Sequence, residues 1–143
     1  MIFMKRCLFC ILLTLMVCGY AYAGEPPCEV DSCAKFEIIG PSLCELGNIN
    51  KDEESVSSSF WIKSTGLLPM IIVSSSTSCP CTHVVYDSDI INPGDSIEIK
   101  MTVEFGSHIG DFLQSVLLKT NTKPQDYVWF YMKGCIVDEA RKD

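Results

Sequence analysis

Ser78-Cys79-Pro80-Cys81-Thr82-His83 sets two thiols one residue apart with an imidazole two residues further on. Four kinds of chemistry fit such a loop. Two thiolates and His83 are soft S and N donors of the sort that hold Cu(I) or Zn(II). A zinc site wants four ligands, and the remaining donors are His108, Asp87 and Asp89. A disulfide between residues two apart is strained and easily reduced, which would suit thiol exchange. Either thiol can instead bridge to Cys135 or to the N-terminal cysteines, or pack as a small buried hydrophobe. Exchange needs a lowered thiol pKa, yet no lysine or arginine lies nearer in sequence than Lys63 or Lys100. A structural role for Cys79 and Cys81, as bridge or as packing, is therefore the expectation. Cys79, Cys81 and His83 remain the metal candidates.

Other residues offer less. Ser57, Ser58 and Ser59 lack a G-x-S-x-G context for a nucleophile. Asp87 and Asp89 read as a solvated turn, and His108 as an exposed residue in a hairpin-like connection within Gly106-Ser107-His108-Ile109-Gly110. Trp61, Trp129, Tyr127 and Tyr131 can form an aromatic binding face. The plainer reading of alternating strand aromatics is a core with cross-strand pairs. No catalytic constellation is complete, and no cofactor is called for.

The elements that position these residues begin after a leader. Lys5 and Arg6 precede an apolar run from Cys7 to Cys18, and Ala21-Tyr22-Ala23 forms a small-x-small cleavage site before Gly24. This pattern reads as a signal peptide over 1–23, and its apolar run falls short of the roughly 20 residues that span a bilayer. Leu15-Met16-Val17-Cys18 is similar to a lipobox. Val17 stands where a small residue is normally needed, so cleavage after Ala23 is the expectation and a lipid anchor at Cys18 the alternative. The product is periplasmic or secreted, with no later membrane span. Cleavage removes two of eleven basic residues and no acidic ones, leaving nine against eighteen, a net charge of −9. A chain that acidic, with no basic stripe, is unsuited to nucleic acid.

Export places Cys28, Cys33, Cys44, Cys79, Cys81 and Cys135 where disulfides persist. Six thiols allow fifteen full pairings, among which sequence does not choose. Cys28, Cys33 and Cys44 are expected to staple a lead segment, 24–45, to a single domain over 46–137. A short tail, 138–143, follows.

That domain has a period of two. Ile97, Ile99, Met101, Val103 and Phe105 alternate with Ser96, Glu98, Lys100, Thr102 and Glu104, the pattern of a half-buried strand. Asn92-Pro93-Gly94-Asp95 turns the chain into it. Further strands are expected at 112–120, with Val116 and Leu118 inward, and at 127–137, with Phe130 and Met132 inward. Others fall at 56–63 and 68–74, joined by a Ser64-Thr65-Gly66 turn, at 82–86, and at an edge over 35–39. No window reads as helix. About seven short strands without helices make an all-β, immunoglobulin-like antiparallel β-sandwich.

Leu46-Gly47-Asn48-Ile49, Phe60-Trp61-Ile62-Lys63-Ser64-Thr65-Gly66 and Leu68-Pro69-Met70-Ile71-Ile72 occur in one order with Ser78-Cys79-Pro80-Cys81-Thr82, Ile91-Asn92-Pro93-Gly94-Asp95, Gly110-Asp111-Phe112 and Thr120-Asn121. In that order they resemble an exported bacterial family, domain of unknown function 1573. The family is similar in turn to the Hydin/major-sperm-protein/PapD-like group of immunoglobulin-like domains. The resemblance covers about 46–137 and implies fold and export, with no established activity. The family usually carries a small residue between the two cysteines, where this chain has Pro80, and an Asn-x-Gly turn where it has Ser64-Thr65-Gly66. The functional expectation is a non-enzymatic, exported module that binds another envelope protein or supports an envelope assembly, with a lent sheet edge as the mode of contact. The alternative is a metal-binding or thiol-redox protein using the Cys79–His83 loop.

Overall fold

The computed structural model describes residues 33–138, so the leader, Cys18 and Cys28 lie outside the described residues. Nine strands follow one another without a helix among the described residues: β1 (Phe36–Ile39), β2 (Leu43–Asn50), β3 (Ser55–Ser64), β4 (Met70–Thr77), β5 (Thr82–Val85), β6 (Ile90–Ile91), β7 (Ser96–Glu104), β8 (Gly110–Thr120) and β9 (Tyr127–Val137). They form a four-stranded sheet, β1-β3-β7-β5, packed on a five-stranded sheet, β2-β9-β8-β4-β6. The expected sandwich is present with two more strands than the sequence pattern gave. β2 was missed because Gly47, at φ 66°, sits in a register shift between Glu45 and Asn48 that breaks its alternation. β6 was missed because two residues carry no period.

Alternation decides which side chains meet between the sheets. Ile97, Ile99, Met101 and Val103 of β7, Val116 and Leu118 of β8, and Phe130 and Met132 of β9 are all buried, as a strand with one solvated face requires. Phe60 of β3 stacks on Phe130 of β9 at 4.7 Å between centroids, joining the two sheets at the core.

Several connections differ from expectation. The turn at 64–66 leads from β3 in one sheet to β4 in the other, and 105–109 leads from β7 across to β8, so neither closes a hairpin. The N-terminal boundary also moves. β1 and β2 belong to the sandwich, which starts at Phe36 and absorbs residues assigned to a lead segment. The chain changes sheet between them through Gly40, at φ 87°, and Pro41, so β2 arrives parallel to β9, whose other neighbour, β8, pairs with it antiparallel. A wholly antiparallel arrangement is thus corrected at this edge.

The residues ahead of β1 are seated in the domain. Cys33 and Ala34 are buried, and Cys33 is engaged in a disulfide. Thr65 donates its N–H to the Lys35 carbonyl at 2.9 Å and Lys123 to that of Ala34 at 3.1 Å. Gly66 makes this approach possible, because a Cβ there would stand 2.4 Å from the Cys33 carbonyl oxygen and 2.5 Å from the Lys35 nitrogen. Those obstacles are backbone, which cannot step aside as a side-chain tip can. Gly66→Ala is expected to cost about 2–3 kcal/mol, as strained buried substitutions do, and to raise proteolysis near 33–35. Urea unfolding and limited proteolysis check this, and a variant of unchanged midpoint would refute the close-approach argument.

Candidate functional site

The Cys79–Cys81 loop carries the chain from β4 in the five-stranded sheet to β5 at the edge of the four-stranded one. Its hydrogen bonds reach both. Ser78 donates its N–H to the Ser115 carbonyl at 3.0 Å, while its Oγ accepts the Ser115 N–H at 2.9 Å and donates to Gln114 Oε1. On the other side, the Glu104 N–H donates to the Cys81 carbonyl at 2.8 Å. Within the loop, the Thr82 N–H and Thr77 Oγ1 both donate to the Cys79 carbonyl at 3.0 Å. Pro80 is exposed and the flanking cysteines are half-buried.

Cys79 and Cys81 form a disulfide with each other. This corrects the expectation of a bridge to Cys135 or to the N-terminal cysteines, because each thiol is used by its neighbour two residues away. His83 does not join them. Its exposed side chain lies 3.5 Å from Glu104 on neighbouring β7. The candidates Cys79, Cys81 and His83 therefore do not assemble as a ligand set. Among the described residues no group of three or more His, Cys, Asp or Glu is placed to hold a metal. Asp87 and Asp89 are exposed, and His108 is exposed with its Nε2 3.2 Å from the Asp111 carbonyl.

The other cysteines are sorted by strand face. Cys44 and Cys135 are both free thiols. Cys44 lies opposite Met132 in β9 and packs against the core, so the expected staple at Cys44 is absent. Cys135, an odd-numbered partner of outward Lys133 and Tyr131, lies opposite Asp111 of β8. The two thiols thus occupy opposite faces of adjacent strands and cannot meet. Cys135 donates a hydrogen bond to the Asp111 carboxylate, which holds its thiol pKa above the ordinary value, with burial and the Asp111 charge adding to the shift. Both residues line a depression of about 570 Å³ with Leu113 and the Lys133–Glu45 ion pair, 2.7 Å long. Sequence could not disclose this couple, since Asp111 and Cys135 meet only through the β8–β9 register.

The aromatics divide between sheets. Trp61 stands exposed on the four-stranded sheet, opposite Ile39. Tyr127, Trp129 and Tyr131 project from the outer face of the five-stranded sheet, with Tyr127 and Trp129 more than two-fifths exposed. The reading of these residues as core is therefore corrected; Val128, Phe130 and Met132 take the core positions between them. Trp129 stacks on Tyr131 at 6.0 Å and faces Leu117 across the β8–β9 pair. Lys119 Nζ lies 5.8 Å from the Tyr127 ring centroid, within cation–π range. Exposed Leu113 and Val73 extend the apolar surface toward the neighbouring strands.

These features define an immunoglobulin-like β-sandwich with its irregular chemistry at a sheet crossover and a row of aromatic side chains on the outer face of its five-stranded sheet. The chain belongs to the family described as protein of unknown function (DUF1573), whose model matches residues 40–136. No curated protein matches the chain. Among solved structures, a protein of unknown function from Porphyromonas gingivalis W83 is similar at a TM-score of 0.65 and 17% identity, covering 79% of this chain and 51% of that one. The PapD-like domain 7 of human CEP192 is similar at 0.58 and 10% identity, over 84% of this chain and 96% of that one. The Vibrio cholerae VesB protease is similar at 0.55 and 13% identity, over 71% of this chain and 31% of that one. At these identities the likeness is one of fold. The chain spans about half the length of the Porphyromonas protein.

Two outcomes follow from the cysteine geometry. Cys79→Ser with Cys81→Ser should lower stability by only about 1–2 kcal/mol, because the loop closed is very short; a loss above about 4 kcal/mol in urea unfolding would contradict this. Asp111→Ala removes the acceptor that favours the Cys135 thiol, so iodoacetamide at pH 8 should alkylate Cys135 several-fold faster in the variant, as peptide mass spectrometry would report. Unchanged alkylation would show that Asp111 does not control the thiol.

Proposed function

We propose that the chain is an exported, non-enzymatic immunoglobulin-like module that binds another envelope protein through the outer face of its five-stranded sheet. The observation that carries this reading is the outward row of exposed Tyr127 and Trp129 and half-buried Tyr131, with Leu113 and Val73 exposed on neighbouring strands. A sandwich needs one apolar face per sheet for its core, and the other is ordinarily polar. A second apolar face adds nothing to the core. Contiguous exposed apolar surface of this kind marks interaction sites, and Trp and Tyr dominate the energetics of protein interfaces. The arrangement of Lys119 on Tyr127 and the Lys133–Glu45 pair around the row supplies a charged margin. Such a rim limits non-specific association while leaving the centre free to be desolvated.

Export rests on the leader pattern of residues 1–23, and the partner is placed in the envelope for that reason. Among the described residues no helix is long and apolar enough to cross a membrane.

A photo-crosslinking residue placed at Leu113 in the producing bacterium should yield a discrete adduct with an envelope protein. The same residue at Glu98, on the outer face of the other sheet, should not. Trp129→Ala should reduce the adduct at least tenfold while leaving the unfolding free energy within about 0.5 kcal/mol, as exposed positions allow. Adducts of equal yield at both positions, or full yield with Trp129→Ala, would refute the reading. Intact mass of the same product locates its N-terminus at Gly24 or at a lipidated Cys18.

A further inference from the structure

From the way the loop is tied, we infer that the Cys79–Cys81 disulfide is a thiol–disulfide exchange site, with Cys79 as its leaving and resolving thiolate and a dithiol or disulfide protein as its substrate class. This site is separate from the aromatic face and stands or falls independently of it.

Three observations converge. The bond joins residues two apart, so opening it releases almost no chain, and the chain-entropy contribution to its stability is small. The hydrogen bonds from Ser78 to Ser115 and Gln114, from Glu104 to Cys81, and from Thr82 and Thr77 to Cys79 involve no sulfur. They tie the loop to both sheets without using either sulfur. Finally, the Cys81 N–H donates to Cys79 Sγ at 3.1 Å. A donor already aimed at a sulfur favours its charged form and so supplies the thiolate stabilisation that no nearby lysine or arginine provides. Both cysteines are half-buried at the surface, whereas the disulfide at Cys33 is held in a buried residue.

The exchange balances as follows. A thiolate of an incoming dithiol attacks Cys81 Sγ; the Cys79–Cys81 bond breaks, and its electron pair leaves on Cys79 Sγ, which receives the Cys81 N–H. The dithiol's second sulfur then attacks its own sulfur in the mixed disulfide, closing the reagent disulfide and releasing Cys81. Two electrons and two protons pass from the dithiol to Cys79 and Cys81. In reverse, the Cys81 thiolate attacks a substrate disulfide and displaces one substrate thiolate. The Cys79 thiolate then attacks Cys81 Sγ in the mixed disulfide, re-forming the Cys79–Cys81 bond and releasing the second substrate thiolate, so that the substrate is reduced by two electrons.

The test uses the full exported protein with dithiothreitol as the probe, acid quenching, alkylation and peptide mass spectrometry. Cys79 and Cys81 should be reduced at least about tenfold faster than Cys33, with the β-sheet circular dichroism retained. Oxidised glutathione should then restore the same pair. Reduction that keeps pace with Cys33, that accompanies loss of the β signal, or that fails to reverse would overturn the inference. The single variants assign the sulfurs. With 5,5′-dithiobis(2-nitrobenzoate) at pH 7, Cys79 in Cys81→Ser should react about tenfold faster than Cys81 in Cys79→Ser, the thiolate fraction rising tenfold per unit of lowered pKa. Equal or reversed rates would overturn the assignment of Cys79. The wild-type measurement needs neither variant to fold.

Discussion

The stack of Phe60 on Phe130, 4.7 Å between ring centroids, joins the two sheets inside one apolar core. The strands depend on that core, because a single sheet of this size would leave one hydrophobic face in water. Around the pair, Ile62, Ile99, Met101, Val116, Leu118, Val128 and Met132 are fully buried. The interior is apolar with few exceptions; the Ser64 and Thr82 hydroxyls are buried without hydrogen-bond partners, and the buried Thr120 and Thr122 hydroxyls satisfy each other at 2.6 Å. The constraint then passes outward. With one face of each strand committed to the core, the neighbouring residues must face solvent or a partner.

That parity gives the cysteines different chemistry. Cys44 falls on an inward position of β2 and packs as a small hydrophobe, whereas Cys135 falls on an outward position of β9 and meets a carboxylate. One residue of register would exchange their environments. Cys79 and Cys81 escape the rule because they lie where the chain passes between sheets. There the backbone is fixed by hydrogen bonds to β8 and to the end of β7 in addition to the disulfide.

The same parity produces the aromatic face. Tyr127, Trp129 and Tyr131 are outward for the reason that Val128, Phe130 and Met132 are inward. Neither set can move without the other. An apolar outer face has a cost in solubility, moderated here by Lys119, Lys133 and Glu45 along its margin. The likeness in fold to the PapD-like domain 7 of CEP192 and to part of the VesB protease leaves function to such surface features, since unrelated activities share this scaffold.

The sequence by itself determined the local pattern. The alternation over Ser96–Phe105 and Tyr127–Val137 marked two long strands whose bounds the structure reproduces or moves by one residue, and together with the strand expected at 112–120 it named eight core residues that are all buried. It also singled out the Cys79–Cys81 loop as chemically unusual. These were legible because a strand's two faces are set by side chains two residues apart. What neighbours what was decided only in the tertiary structure: the crossing at 64–66, the parallel β2–β9 edge, the Asp111–Cys135 pair, the separation of Trp61 from the other aromatics and the mutual pairing of Cys79 with Cys81. Each depends on register or sheet assignment between residues far apart in the chain, or, for the two cysteines, on which of several thiols the folded backbone brings within bonding reach. A period of two says which way a side chain points and nothing about what will stand opposite it.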